Sequence, residues 1–219
     1  VSYLIRVVLP DRPGALGAVA SALGHAGADI LSVDIVERTP GHATDDLVVE
    51  LPSDRLADSL ITAAASVEGV RVESIRPYAG TIDPFRELEL LEDLAADPTD
   101  LDGLADGVCR LFRAGWSLVL RAPDGGDSKA TVVASSAAAP EIESVATPWW
   151  PAIPARALSV EDDWAPTDWS TLGTELAVVP LGLDAVLIGR PALRWLPSEI
   201  IRMSHLASIA ATVINPRTG

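Results

Sequence analysis

The sequence predicts an α+β fold in two parts: a β-α-β-β-α-β unit, then an antiparallel sheet flanked by helices. Three observations carry this expectation. Apolar residues alternate with a period of two in short runs and recur at three- and four-residue spacing between those runs, so strands and helices interleave. The first six segments, complete by Pro77, follow the order of a split βαβ unit. Pro77-Tyr78-Ala79-Gly80-Thr81-Ile82-Asp83-Pro84 then interrupts the periodicity and reads as a linker.

In the first strand Tyr3, Ile5, Val7 and Leu9 alternate with Leu4, Arg6 and Val8, giving one better-buried face. Asp11-Arg12-Pro13-Gly14-Ala15-Leu16-Gly17 leads into a helix with Leu16, Val19, Ala20 and Leu23 on one side. Pro13 suits a first helical turn, Gly14 permits close backbone approach, and Gly27 is placed for a left-handed C-terminal cap. Leu31, Val33 and Ile35 alternate with Ser32 and Asp34 in a second strand; Thr39-Pro40-Gly41-His42 is a turn, and Asp46 to Leu51 a third strand. Ser53 and Asp54 are expected to open a second helix with the stripe Leu56, Leu60, Ile61 and Ala64. Gly69 breaks it, and Val70, Val72 and Ile75 lie on a fourth strand. Both helices on one face of the sheet make a ferredoxin-like sandwich over residues 1–78, with 79–84 as linker.

Beyond the linker, over 85–215, Phe85, Leu88, Leu91 and Leu94 mark one helix. Leu101, Leu104, Ala105, Val108, Leu111 and Phe112 mark another, with Asp97, Thr99 or Asp100 as its cap. Trp116 to Leu120 and Thr131 to Ala134 read as strands around Asp124-Gly125-Gly126-Asp127; Glu175 to Val179 and Ala185 to Ile188 read as a second pair. The last helix, Ser198 to Ile214, turns Ile200, Met203, Leu206, Ala207, Ala210 and Val213 inward. Between the strand pairs, Pro148, Pro151, Pro154 and Pro166 mark a long irregular excursion carrying Trp149, Trp150, Trp164 and Trp169. These indoles either form an aromatic lid over a second candidate pocket, with Arg156 as an anion partner, or cover the sheet.

The first turn has chemistry of its own. A helix opening here presents unpaired amides and the positive end of its dipole, which suit a carboxylate, and Asp11 beside it suits an ammonium group. Asp, Pro and Gly also occur in such turns for conformational reasons alone.

The chain has 219 residues, a formal charge of −15 and a single lysine, Lys129, which argues against nucleic acid. No apolar run reaches the roughly eighteen residues of a membrane helix, and no basic stretch followed by an apolar one opens the sequence. The expectation is a cytoplasmic protein without membrane partners. Cys109, the one cysteine, lies on an apolar helical stripe and reads as a small buried hydrophobe. Glu161-Asp162-Asp163 has no further ligand at metal spacing, and His25, His42 and His205 are scattered. No phosphate loop, nucleophile elbow or Cys/His signature is present, so neither a metal, a cofactor nor catalysis is expected.

Residues 3 to about 77 resemble an ACT domain, the small-molecule regulatory module of amino-acid metabolism. The resemblance rests on Asp11-Arg12-Pro13-Gly14-Ala15-Leu16, on Gly27-Ala28-Asp29-Ile30 and on the element order. It implies an amino acid bound where two modules meet in a homodimer. One wall would be Leu9, Asp11, Arg12, Pro13, Gly14, Ala15 and Leu16, the other Ala28, Asp29 and Ile30. Asp29 stands where serine-binding relatives have Asn, and Leu9 where some have His, departures that argue against serine in particular. Residues 85 to 214 resemble a GAF-like sensor domain through Val179-Pro180-Leu181, Val186-Leu187-Ile188-Gly189-Arg190 and Leu196-Pro197-Ser198-Glu199. Together these imply a non-catalytic ligand sensor. The alternative is an interaction protein whose ACT module only dimerises and whose tryptophans bind a protein partner.

Overall fold

A computed structural model describes residues 1–78, 85–123, 128–160, 164–171 and 173–215. The expected linker 79–84, the turn 124–127 and the acidic run 161–163 lie outside the described residues. The chain divides into two compact units, Val1–Ile82 and Asp83–Gly219.

Unit 1 is a four-stranded antiparallel sheet with helices, built in the predicted order. Strands β1 (Ser2–Pro10), β2 (Asp29–Thr39), β3 (His42–Glu50) and β4 (Arg71–Pro77) stand in the order β2-β3-β1-β4. Helices α1 (Ala15–His25) and α2 (Asp58–Ala65) pack Val19, Leu23, Leu60 and Ala64 against Ile5, Val7, Leu9, Leu47 and Val49. That set is one parity of each strand, as the period-two reading requires. On the other parity, buried Arg6 forks onto Asp46 across the β1–β3 pair, with Nε–Oδ1 at 2.7 Å and Nη2–Oδ2 at 2.9 Å.

Three details differ from expectation. The third strand begins at His42, four residues before the apolar run, because Ala43 to Asp46 pair with both β1 and β2. The second helix begins at Asp58 rather than Ser53 or Asp54. The Arg55 N–H donates to the Pro52 carbonyl in a separate turn, which leaves Leu56 outside the helix and exposed. Pro13 does not occupy the first helical position. Pro13 and Gly14 are the central residues of a type II turn closed by the Ala15 N–H on the Arg12 carbonyl at 3.2 Å. Gly14, at φ 88° and ψ −12°, supplies the left-handed conformation that this turn demands.

Unit 2 wraps a six-stranded antiparallel sheet with helices. The order is β7-β6-β5-β10-β9-β8, with β5 (Trp116–Arg121), β6 (Lys129–Ser135), β7 (Ser144–Ala146), β8 (Arg156–Leu158), β9 (Thr174–Leu181) and β10 (Asp184–Pro191). Helices α3 (Arg86–Ala96), α4 (Leu101–Phe112) and α6 (Pro197–Ile214) share a core with one sheet face. Asp100 is the cap of α4, its Oδ1 accepting from the Gly103 N–H at 2.9 Å. Helix α6 buries Met203, Leu206, Ala207 and Ala210, as its periodicity predicts.

Helix α3 buries Leu90 and Leu94 and leaves Phe85 and Leu88 exposed, contrary to the expected stripe. Tertiary contact decides this: Gly107 on α4 has no side chain, and the Leu90 methyls occupy the space its Cβ would take. The excursion expected to be irregular contains β7, β8 and the short α5 (Thr167–Thr171), and its two strands form both sheet edges.

Candidate functional site

The site begins where β1 runs out. Asp11 is held by its own N–H, which donates to the Gly41 carbonyl in the β2–β3 turn at 3.1 Å. Arg12, Pro13 and Gly14 then cross, exposed, to the start of α1. The Ala15 amide is used by the type II turn, but the amides of Gly14, Leu16 and Gly17 meet no acceptor among the described residues. These are the orphan donors of a helix start, concentrated at the positive end of its dipole. Ala15 and Leu9 are buried beneath them and form an apolar floor. The Asp11 carboxylate has no hydrogen-bond partner among the described residues. Donors for an anion and an acceptor for a cation therefore lie within one short turn.

The second predicted wall is not next to the first within one chain. Ala28, Asp29 and Ile30 follow the C-terminal end of α1, and Asp29 pairs with Glu50, whereas the Asp11 turn adjoins Gly41 at the opposite end of the sheet. Between them lies β2, an edge strand whose Leu31, Val33 and Ile35 are 42%, 43% and 47% exposed. Gly27 takes the predicted left-handed cap at φ 86°, with the Ala28 N–H reaching back to the Leu23 carbonyl.

Sequence reasoning missed Asp45. It lies between Ala43 and Leu47 on the β3 parity that faces the helices, paired across to Val7 on one side and Ile35 on the other. The residue is 2% exposed, and its Oδ1 has no hydrogen-bond partner. Burial pushes its carboxyl above the usual 3.8; Arg38 opposes the rise, while Asp46, Asp11 and Asp34 add to it. An acidic residue in an apolar parity was the available signal, hidden by starting the strand at Asp46.

In unit 2 the excursion tryptophans lie on the sheet face opposite the helices. Trp116 and Trp169 have ring centroids 4.8 Å apart, Trp164 and Trp169 6.3 Å, Trp149 and Trp164 5.7 Å, and Trp149 and Trp150 5.9 Å. Trp169, 4% exposed, packs in a cluster with Leu118, Leu176 and Leu187. Arg156 donates to the carbonyls of Trp149, Pro151 and Pro154, so its guanidinium ties the excursion to β8. Cys109 is half-buried, and burial pushes its thiol up, with Ser136 and Ser117 acting in the opposite direction. Among the described residues no group of three His, Cys, Asp or Glu is arranged to hold a metal, and no helix is long and apolar enough to cross a membrane.

Residues 3–69 match the ACT domain family. The match ends just before β4 and contains the whole of the Asp11 turn, α1 and β2. No curated protein sequence matches the chain. Among solved structures it is similar to a formyltetrahydrofolate deformylase from Pseudomonas putida KT2440, at 12% identity and TM-score 0.30, over 44% of this chain and 39% of that one. It is also similar to the ligand-free regulatory subunit of aspartate kinase from Thermus thermophilus, at 18% identity and TM-score 0.32, over 42% and 69%. A third is the chromophore-binding domain of Stigmatella aurantiaca bacteriophytochrome, at 10% identity and TM-score 0.35, over 99% and 94%. The chain thus spans about two fifths of the length of the deformylase that it matches. The match of residues 3–69 to this family supports a regulatory ligand-binding role in general terms.

Proposed function

We propose that the chain is a non-catalytic regulator whose ACT domain binds an amino acid between two copies, and that unit 2 conveys the resulting change. The observation that carries this reading is the mouth of α1. Among the described residues, the amides of Gly14, Leu16 and Gly17 meet no acceptor and the Asp11 carboxylate in the same turn meets no donor. A zwitterion complements both at once.

The topology supports a site shared between copies. If two β2 strands pair antiparallel about their middles, the Asp29 end of one lies against the Thr39 end of the other, beside the turn that holds Asp11. Such pairing would give the open edge of β2 a partner strand and cover Leu31, Val33 and Ile35. The two predicted walls, apart in one chain, would then face each other across the interface. A ligand touching both walls favours the paired arrangement by its differential affinity for it, and the second unit follows that population shift.

The test is a thermal-shift screen of the chain with each of the twenty amino acids at millimolar concentration, alongside sedimentation. A selective rise in melting temperature that Asp11→Lys abolishes, with the dimer retained, is the expected result. A stable dimer that no amino acid shifts would instead favour the interaction-protein reading.

A further inference from the structure

We infer that the outward face of α6 is an interface with a second copy of this chain, the two α6 helices packing antiparallel once β2 pairing has brought the copies together. The inference rests on that proposed pairing and adds the surface by which unit 2 registers it.

Helix α6 buries one side in the unit 2 core and leaves Ile201, His205, Ser208 and Thr212 exposed within about 60° of arc, with Ile209 on one flank. From Met203 to Asn215 the sequence has no Asp, Glu, Lys or Arg, in a chain of formal charge −15. Among the described residues of unit 2, six large apolar side chains are exposed. Leu88, Ile201 and Ile209 of that set lie on α3 and α6, and Phe85 lies at the start of α3. Scattered exposed apolar residues are ordinary, but a cluster beside an uncharged helix face has the composition of a contact surface.

Charge and symmetry name the occupant. Two strongly acidic copies repel, and they approach at least cost where neither presents a charge. A basic partner would find no carboxylate on this face of α6 to pair with. The face is also its own complement. A two-fold axis crossing it midway between His205 and Ser208 sets Ile201 of one copy against Thr212 of the other, and His205 against Ser208. Arg202, on the Ile209 flank, donates to Glu87 of α3 at 2.5 Å, so α3 runs beside that flank. The same axis therefore turns Leu88 of one copy towards Ile209 of the other. The product is four helices, α3 and α6 from each copy, in the antiparallel packing of a bundle. The residues on this surface fall well short of the roughly 20–30 a side of a standard interface, so it does not associate unaided. With β2 paired, the two faces meet at an effective concentration on the order of millimolar, and the contact forms in the paired state alone.

The full chain carrying Cys109→Ala and Ser208→Cys is treated with a short bismaleimide at a concentration where sedimentation finds dimer. Cys109→Ala with Glu141→Cys, an exposed position away from α6, is the control. Ser208→Cys is expected to link copies at least tenfold faster than the control, and adding Ile35→Lys should return it to the control rate. Ser208→Arg, which sets two cations across the axis, should weaken the dimer at least tenfold with melting unchanged. A dimer in which Ser208→Cys links no faster than the control overturns the α6 contact and leaves β2 pairing standing. Fast linking that survives Ile35→Lys keeps the α6 interface and overturns its dependence on β2. A chain that is monomeric with and without amino acids removes both. Should Cys109→Ala fail to fold, sedimentation of Ser208→Arg decides, an unweakened dimer counting against the contact.

Discussion

Asp45 gives the folded chain a pH dependence of defined sign. Its folded pKa lies above the ordinary value through burial, so the folded state holds that proton more tightly than the unfolded state. Stability is then fullest below the ordinary carboxylate range and is lost as pH rises through the raised folded pKa. Asp45→Asn removes the buried charge. Urea unfolding at neutral pH should find the variant more stable by about 1–3 kcal/mol, a gap that closes below about pH 4. A variant no more stable than the wild type would show the carboxylate to be satisfied in solution. At Gly14 the argument is purely one of backbone. An added Cβ meets nothing within 4 Å, but φ of 88° strains any L-residue, so Gly14→Ala should cost about 1–2 kcal/mol by thermal unfolding. Gly14 was readable in the sequence as a turn glycine. The type II geometry was not, because Pro-Gly also suits a helix start until the Ala15 N–H is seen to close on Arg12.

At the scale of elements, α6 shows how a loose sequence motif becomes a defined contact. Arg190, at the end of β10 and 0% exposed, reaches Glu199 with Nη1–Oε1 at 2.9 Å and Nη2–Oε2 at 2.7 Å. Its Nε donates to the Leu193 carbonyl, its Nη2 to that of Arg194, and the guanidinium lies 3.7 Å from the Trp195 ring centroid. Glu199 also accepts from the Leu196 N–H, so one carboxylate both caps α6 and anchors it to β10. Glu199→Gln leaves a buried guanidinium without its counter-charge, and chemical denaturation should show a loss of about 3 kcal/mol. An effect under about 1 kcal/mol would mean that water reaches the pair. Arg190 and Glu199 were legible as notable residues but not as partners, since eight intervening positions give no periodic cue. Helix α3 teaches the complementary point. Its sequence offers two overlapping apolar stripes, and Gly107 on a different helix selects the one through Leu90.

For the whole molecule, the proposed pairing of two copies turns on β2. Val33 and Ile35 are exposed in the single chain, so replacing Ile35 with Lys costs the fold little, yet a charge on an edge strand opposes strand pairing. Sedimentation should find Ile35→Lys monomeric at concentrations where the wild type pairs, with melting unchanged for the ligand-free monomer. A dimer that survives this change places the interface elsewhere and separates the two predicted walls for good.

What the sequence determined on its own was the order and type of the elements outside the tryptophan-bearing excursion, because apolar spacing dictates which local geometry buries a continuous face, and the ACT signature at the first turn with the candidate wall it carries. Only the tertiary structure decided which residues share an environment. It placed Asp45 within the unit 1 core facing and set Asp29 at the far end of the sheet from Asp11. It also packed Trp116 against Trp169 from across the excursion. Those juxtapositions come from strand register and helix docking between segments distant along the chain, and periodicity, being local, holds no record of them.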